Sequence, residues 1–202
     1  MEPAAILLVP GYATQAPHIR DSPGESSMPT TTADRLQELF IMGLRNAHAL
    51  EKQALSIMTP QATRIERYPE LADRLQRHIE ETHGQISRLE QVLGDFGESH
   101  STLKDTALGL AGGMATIAHS FAGDEILKNS FANYAFEHFE IASYKSLIVL
   151  AEDGGYAQAV PPLRQTLGEE QAMAEWIDQF LAVVTRRYVE LSADAGAFQA
   201  KT

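Results

Sequence analysis

The chain of 202 residues predicts an all-α bundle of two helical hairpins. Three observations carry that expectation. Apolar residues recur at helical spacing over long runs, and Pro and Gly sit mainly between those runs. One run, Phe131 to Leu150, is apolar on every side of a helical projection and reads as a helix surrounded by partners.

The elements follow in order. Residues 1–30 differ in composition from the rest and are expected to form a flexible extension, or a short docking arm. Met28 is a second candidate start. Thr30 to Thr32 offer N-caps for a helix from Ala33 to about Met58, stopped by Thr59-Pro60. Its stripe is Leu36, Phe40, Leu44, Ala47, Ala54 and Met58, with Glu51 in the middle. The second helix opens at Pro69 and ends near Asp95, with Leu71, Leu75, Ile79, Thr82, Ile86, Leu89 and Leu93 inward. His78, Glu81 and Gln85 lie along one border of that stripe, and His83 along the other.

Ser101 to Phe121, small and apolar around Gly112-Gly113, is expected to cross from one hairpin to the other. Gly123-Asp124 should cap the central helix, which runs to about Asp153. Pro161-Pro162 opens the last helix, which continues to about Ser192 with Glu170 inside its stripe. The helical domain is thus expected over 31–192 and a frayed tail over 193–202. Two hairpins with short turns, joined by one long helical crossover, make a ferritin-like four-helix bundle.

Composition removes several function classes. A net charge of -11 and the absence of a Lys/Arg cluster argue against nucleic acid as a partner. With no Cys, thiolate metal sites and thiol nucleophiles are excluded. No apolar run approaches membrane-spanning length, and Ala4 to Val9 lacks the basic start of a signal peptide. The expected setting is cytoplasmic, with no membrane partner.

The acids carry the chemistry. Glu51 to Glu81 spans 30 positions, and so does Glu140 to Glu170. Equal spacing within each hairpin places all four at one level of the bundle, facing each other. Burying such a group costs several kcal/mol or forces protonation unless cations neutralise it. Two divalent ions would do so. Oxygen donors with a nearby imidazole favour iron, then manganese. Glu80 and His83 have the Glu-x-x-His spacing, but Glu80 projects opposite the stripe and should be solvated. His78 and Glu137, each one turn from an acid of the set, are preferred.

The segments ALEKQAL (49–55), HIEETHGQISRLEQV (78–92), EHFEIASYKSLIVLAEDGGY (137–156) and TLGEEQA (166–172) resemble the YciF/YciE-type ferritin-like family. The resemblance spans roughly residues 33 to 185. It implies a carboxylate metal site and an association with bacterial stress responses, and it supports Glu51, His78, Glu81, Glu137, Glu140 and Glu170 as metal ligands. Gly168 and Ala174 stand where this family tends to carry further acids.

The other polar residues have plainer expected roles. His48 and His138 read as core imidazoles or as groups that orient a metal ligand, while His18, His83, His100 and His119 read as structural or exposed. Tyr134 and Tyr144 read as packing residues that hydrogen-bond to the acids. Trp176 lies off its stripe and is a candidate for facing a partner subunit.

Two functional classes follow. The first is a di-metal carboxylate protein acting on oxygen or peroxide in a stress response. The second is a non-catalytic bundle, its metal site structural or vacant, which oligomerises or binds a partner. A homodimer is expected in either case. An iron-storing cage has no supporting feature, and the acidic charge disfavours a DNA-protecting role.

Overall fold

A computed structural model describes residues 31–98 and 124–195. The expected extension over 1–30 and the expected crossover Ser101 to Phe121 lie outside the described residues, as does the tail beyond Ala195. Four helices are described: α1 (Thr32–Arg64), α2 (Pro69–Asp95), α3 (Glu125–Asp153) and α4 (Val160–Ala195). They form a four-helix bundle in which α1 packs on α2 and α3, and α4 packs on α3 and α2. α1 and α4 therefore lie diagonally, as do α2 and α3.

Side-chain pairs fix the directions. Arg64 reaches Glu125 at 2.8 Å and Gln61 accepts from Asn133 at 2.9 Å, so the end of α1 meets the start of α3 and the two run antiparallel. Within each hairpin the helices are also antiparallel. α2 and α3 consequently run the same way, which is why a long connection must separate them. The order is up, down, down, up.

Local chemistry sets the ends. Thr31 and Asp34 form a capping box: Thr31 Oγ1 accepts from the Asp34 amide at 3.1 Å, and Asp34 Oδ2 accepts from the Thr31 amide at 2.9 Å. Glycines with positive φ, Gly97 at 77° and Gly155 at 74°, follow α2 and α3. After Gly155 the Tyr156 amide turns back to the Ala151 carbonyl at 2.8 Å, closing the left-handed cap that only Gly enters without strain. That turn delivers Tyr156 onto Phe40, whose rings stack 5.0 Å apart, with Phe96 edge-on to both.

Four local expectations are corrected. α1 does not stop at Thr59-Pro60 but runs through Pro60 to Arg64. Its last turn is held from outside, by Asn133 on buried Gln61 and by the ion pair of Arg64 with buried Glu125, and these offset the proline's penalty of roughly 3 kcal/mol. Asp124 stands at the start of α3 but makes no side-chain cap; it pairs with Lys128 at 2.9 Å instead. α3 is not enclosed on all sides, since Phe131, Phe139 and Val149 are more than half exposed. The last helix runs to Ala195, three residues past its expected end.

Three apolar clusters fill the described part of the bundle. One joins Tyr68, Leu71, Ile126, Val184 and Leu191. Of the other two, one joins Phe40, Leu44, Leu89, Leu93, Leu147 and Leu163, and one joins Leu50, Met58, Leu75, Ile79, Phe136 and Met173. A polar layer lies between these two. Among the described residues, no helix is long and apolar enough to cross a membrane.

Candidate metal centre

The polar layer takes one or more side chains from every helix: Glu51 from α1, His78 from α2, Glu137 and Glu140 from α3, and Glu170 from α4. All five are at most 2% exposed. Each acid interrupts an otherwise apolar stripe, so the burial of its neighbours carries it inward. His78 Nε2 sits 3.2 Å from Glu137 Oε2 and 3.6 Å from Glu170 Oε2. One donor atom from each of His78, Glu137 and Glu170 lies within 4.8 Å of the others, close enough to share one cation.

Hydrogen bonds hold the outer oxygens and leave the inner ones. Tyr144 donates to Glu51 Oε1 at 2.5 Å, and Gln85 Nε2 donates to Glu170 Oε1. Glu137 Oε2, Glu140 Oε1 and Glu170 Oε2 are buried without a hydrogen-bond partner. The 3.2 Å approach of His78 to Glu137 is an ion-pair contact rather than an aligned hydrogen bond. Buried carboxylate oxygens are ordinarily satisfied, so three unsatisfied ones from α3 and α4 call for a cation.

The electrostatics agree. At about 4 Å two carboxylates repel by roughly 4 kcal/mol even at an effective dielectric near 20. Burial, moderated by the Tyr144 hydroxyl and by His78, pushes Glu51 up to about 7. Burial and the charges of Glu51, Glu170 and Glu137 hold Glu140 well above the usual carboxylate range. Burial, then Glu137 and Glu51, do the same to Glu170, against the pull of His78. For His78 burial acts downward, but the charge and close approach of Glu137, the bond to Glu81 and the charge of Glu170 outweigh it and raise the imidazole to about 10. In this layer the protons do what cations would do.

The structure brings together five of the six residues singled out from sequence. The sixth, Glu81, stands apart: its side chain is 35% exposed, and its Oε2 is taken by His78 Nδ1 at 2.8 Å and by Arg74 at 3.1 Å. Within α2 it is His78, one turn earlier, that enters the layer. Glu81 fixes the imidazole so that Nε2 faces the acids, the arrangement in which a carboxylate orients a metal-binding histidine. The bond to His78, and after it the charge and bond of Arg74, hold Glu81 below its ordinary range against its partial burial.

Gln85 is a residue of the layer whose contacts the sequence reading missed, although it lies two turns after His78 on the same border. It is fully buried and also reaches Glu169 at 3.2 Å, which pairs in turn with Arg88. Arg88 Nε donates to Thr166 at 3.1 Å, tying α2 to α4 beside the layer. Tyr144 meets its expectation. Tyr134 does not: it bonds Asp178 at 3.2 Å, away from the acids. His138 is exposed rather than in the core, edge-on to Tyr134, whereas His48 is buried against Glu90 at 3.0 Å. Glu80 and His83 are both exposed, as their helical positions imply. Trp176 is half-buried and stacks on Phe180.

The family described as "Domain of unknown function (DUF892)" matches residues 35–190. Protein YciF of Escherichia coli (strain K12) is 34% identical over 145 residues, covering 68% of this chain and 84% of YciF. Among solved structures, a protein from Xanthomonas campestris pv. campestris superposes with a TM-score of 0.66 at 30% identity, covering 79% of this chain and 99% of that one. The structure of the E. coli stress protein YciF gives a TM-score of 0.59 at 29% identity, covering 73% and 94% of the two chains.

Proposed function

The chain belongs to the DUF892 family, and from that premise we propose that its polar layer is a di-metal centre of a cytoplasmic stress-response protein that reacts with oxygen or peroxide. The observation that carries this reading is the set of three buried carboxylate oxygens without hydrogen-bond partners, facing one imidazole in a layer fed by all four helices. Glu51, Glu137, Glu140, Glu170 and His78 would hold the ions. This hard set, four carboxylates and one imidazole without thiolate, suits iron first and manganese second. Two such ions, when bound, supply an open coordination position for a small oxidant and redox equivalents to reduce it.

The chain's own residues prepare that place. The Tyr144 hydroxyl occupies Glu51 Oε1 and leaves the second oxygen to turn inward. Gln85 does the same for Glu170, and Glu81 holds the His78 ring. The apolar clusters above and below exclude bulk water, which strengthens every charge interaction in the layer.

Elemental analysis of the purified protein tests the proposal. About two iron or manganese ions per chain are expected, lost in the Glu51→Ala, Glu140→Ala double variant while its helical circular dichroism persists. Loaded protein should then consume oxygen or peroxide. A second reading has its own observation: a charged His78 between Glu137 and Glu170 is already an internal cation, as a non-catalytic bundle would need. Metal-free protein that takes up neither iron nor manganese under anaerobic loading would favour it.

A further inference from the structure

A polar line runs along one border of α2. Arg74, His78, Glu81, Gln85 and Arg88 recur at steps of four and three residues, which keeps them on one side of the helix. The last two meet α4, where Thr166, Glu169 and Glu170 face them. Among the described helices the seam between α2 and α4 is the thinnest of the four between neighbours, and beside the layer it is closed by polar groups alone.

Glu170 is fully buried, whereas the side chain of Glu169 is 22% exposed. One atom joins them. Gln85 Nε2 donates to Glu170 Oε1 and, at 3.2 Å, to Glu169 Oε2. A carboxylate that touches solvent and a carboxylate of the layer therefore stand on either side of a single amide. Arg88 occupies the same oxygen of Glu169, and Gln165 donates to the other at 3.0 Å. Arg88 is fastened in turn to Thr166.

The amide is unevenly used. Its nitrogen serves two acceptors, while its carbonyl oxygen, Gln85 Oε1, is buried with no hydrogen-bond partner. Buried oxygens of this kind are ordinarily satisfied. The terminal torsion of a glutamine is broad, so a half-turn of the amide is open to it. That half-turn would bring Oε1 to where the N–H groups now point, and three oxygens, from Glu169, Glu170 and Gln85, would converge. Two carboxylates with one amide carbonyl suit a hard divalent cation, which would replace the N–H groups in neutralising the acids.

We propose that Glu169, Gln85 and Glu170 form a transit site through which divalent cations enter the layer, with Arg88 as its latch. The proposal rests on the di-metal reading of the layer. The apolar clusters on either side of the layer bar an ion from travelling along the bundle axis, since a charge crossing them would lose its hydration without a partner. Glu169 meets the ion at the surface, the Gln85 amide turns to accept it, and Glu170 carries it inward. Arg88 neutralises Glu169 at rest and competes with the arriving ion for the same oxygen. Because Glu169 and Arg88 lie outside the ligand set, they govern the rate of filling and not the final content.

Rapid mixing of the metal-free full chain with manganous ion, followed by loss of the paramagnetic resonance signal of the free ion, tests the proposal. Elemental analysis after prolonged incubation gives the final content. Glu169→Gln should slow uptake by roughly tenfold, and Arg88→Ala should speed it by a similar factor. Both should reach the wild-type content with unchanged helical circular dichroism. Glu175→Gln, which removes an exposed charge further along α4, should stay within about twofold of the wild-type rate. Equal rates in all four proteins at normal content overturn the transit site and leave the metal centre standing. So does a Glu175→Gln protein as slow as Glu169→Gln, since bulk charge then sets the rate. A lower final content in Glu169→Gln makes Glu169 a resident ligand and overturns the proposal too. Wild-type protein that takes up neither manganous ion nor, anaerobically, ferrous ion removes the centre itself and the entry site with it.

Discussion

At the scale of single residues, the layer is governed by which oxygen of each carboxylate is already engaged. Tyr144 is fully buried and donates to Glu51 at 2.5 Å. Removing the hydroxyl leaves a buried acceptor unsatisfied, which costs roughly 1–3 kcal/mol. It also removes an interaction that holds the Glu51 pKa down. Tyr144→Phe should therefore lower the stability of metal-free protein by that amount and move the Glu51 titration above its value near 7, read by carbon NMR of the side-chain carboxyl. Glu51 itself was legible in the sequence because an acid between Ala47 and Ala54 breaks a stripe. The division of labour between His78 and Glu81 was not. Both sit on the border of the α2 stripe, and only the packing of α2 against α1 and α4 decides which one turns inward. Gln85 stayed hidden for a related reason: an amide signals nothing until its acceptor on α4 is known.

At the scale of elements, α1 shows tertiary contacts overriding local preference. Pro60 cannot donate to the Ser56 carbonyl, yet the helix continues because Gln61 and Arg64 are anchored by α3. Pro60→Ala should restore that bond at an exposed position and stabilise the protein by about 1–3 kcal/mol. Thermal denaturation reads this directly, and an unchanged midpoint would mean the anchors had already removed the strain. Gly43 presents the opposite balance. Replacing it with Ala gains about 1 kcal/mol of helix propensity. The new Cβ would lie 2.8 Å from buried Leu147 Cδ2, and overpacking of that kind costs about 1–3 kcal/mol. Gly43→Ala should accordingly be neutral to destabilising, by up to about 2 kcal/mol in chemical denaturation. Helix existence and most boundaries were readable because stripes and capping residues are local signals. The extension of α1 past Pro60 depends on residues some seventy positions away, and no local pattern encodes it.

At the scale of the whole molecule, the layer couples stability to pH and to metal. Glu51, Glu140 and Glu170 have folded-state pKa values raised above their unfolded ones. The folded protein thus binds more protons than the unfolded chain over that interval. Their contribution is complete below about pH 4.5 and is lost as pH rises, through about 7 for Glu51. His78, raised from 6.5 to about 10, adds stability that is complete below 6.5 and lost toward 10, so it acts in the same direction. Metal-free protein should lose stability progressively from pH 5 to pH 8, by on the order of 3 kcal/mol for Glu51 alone, and its melting temperature should fall accordingly. Glu51→Gln should flatten that slope. Bound divalent ions should reverse it, since they favour the deprotonated carboxylates that otherwise repel. A midpoint that rises over this pH range without metal would contradict the charge arrangement described.

The up, down, down, up order also has a kinetic consequence. Each hairpin closes through contacts near in sequence, whereas Glu51 and His78 meet Glu137, Glu140 and Glu170 only when the first hairpin docks on the second. Local contacts form early and distant ones late, so Glu137, Glu140 and Glu170 repel one another when their own hairpin closes, and the charges of Glu51 and His78 enter only at docking. Protons or divalent ions would then act on the speed of the last assembly step as well as on its equilibrium. Refolding of metal-free protein should be faster at pH 5 than at pH 8, and ferrous or manganous ions at pH 8 should recover the faster rate.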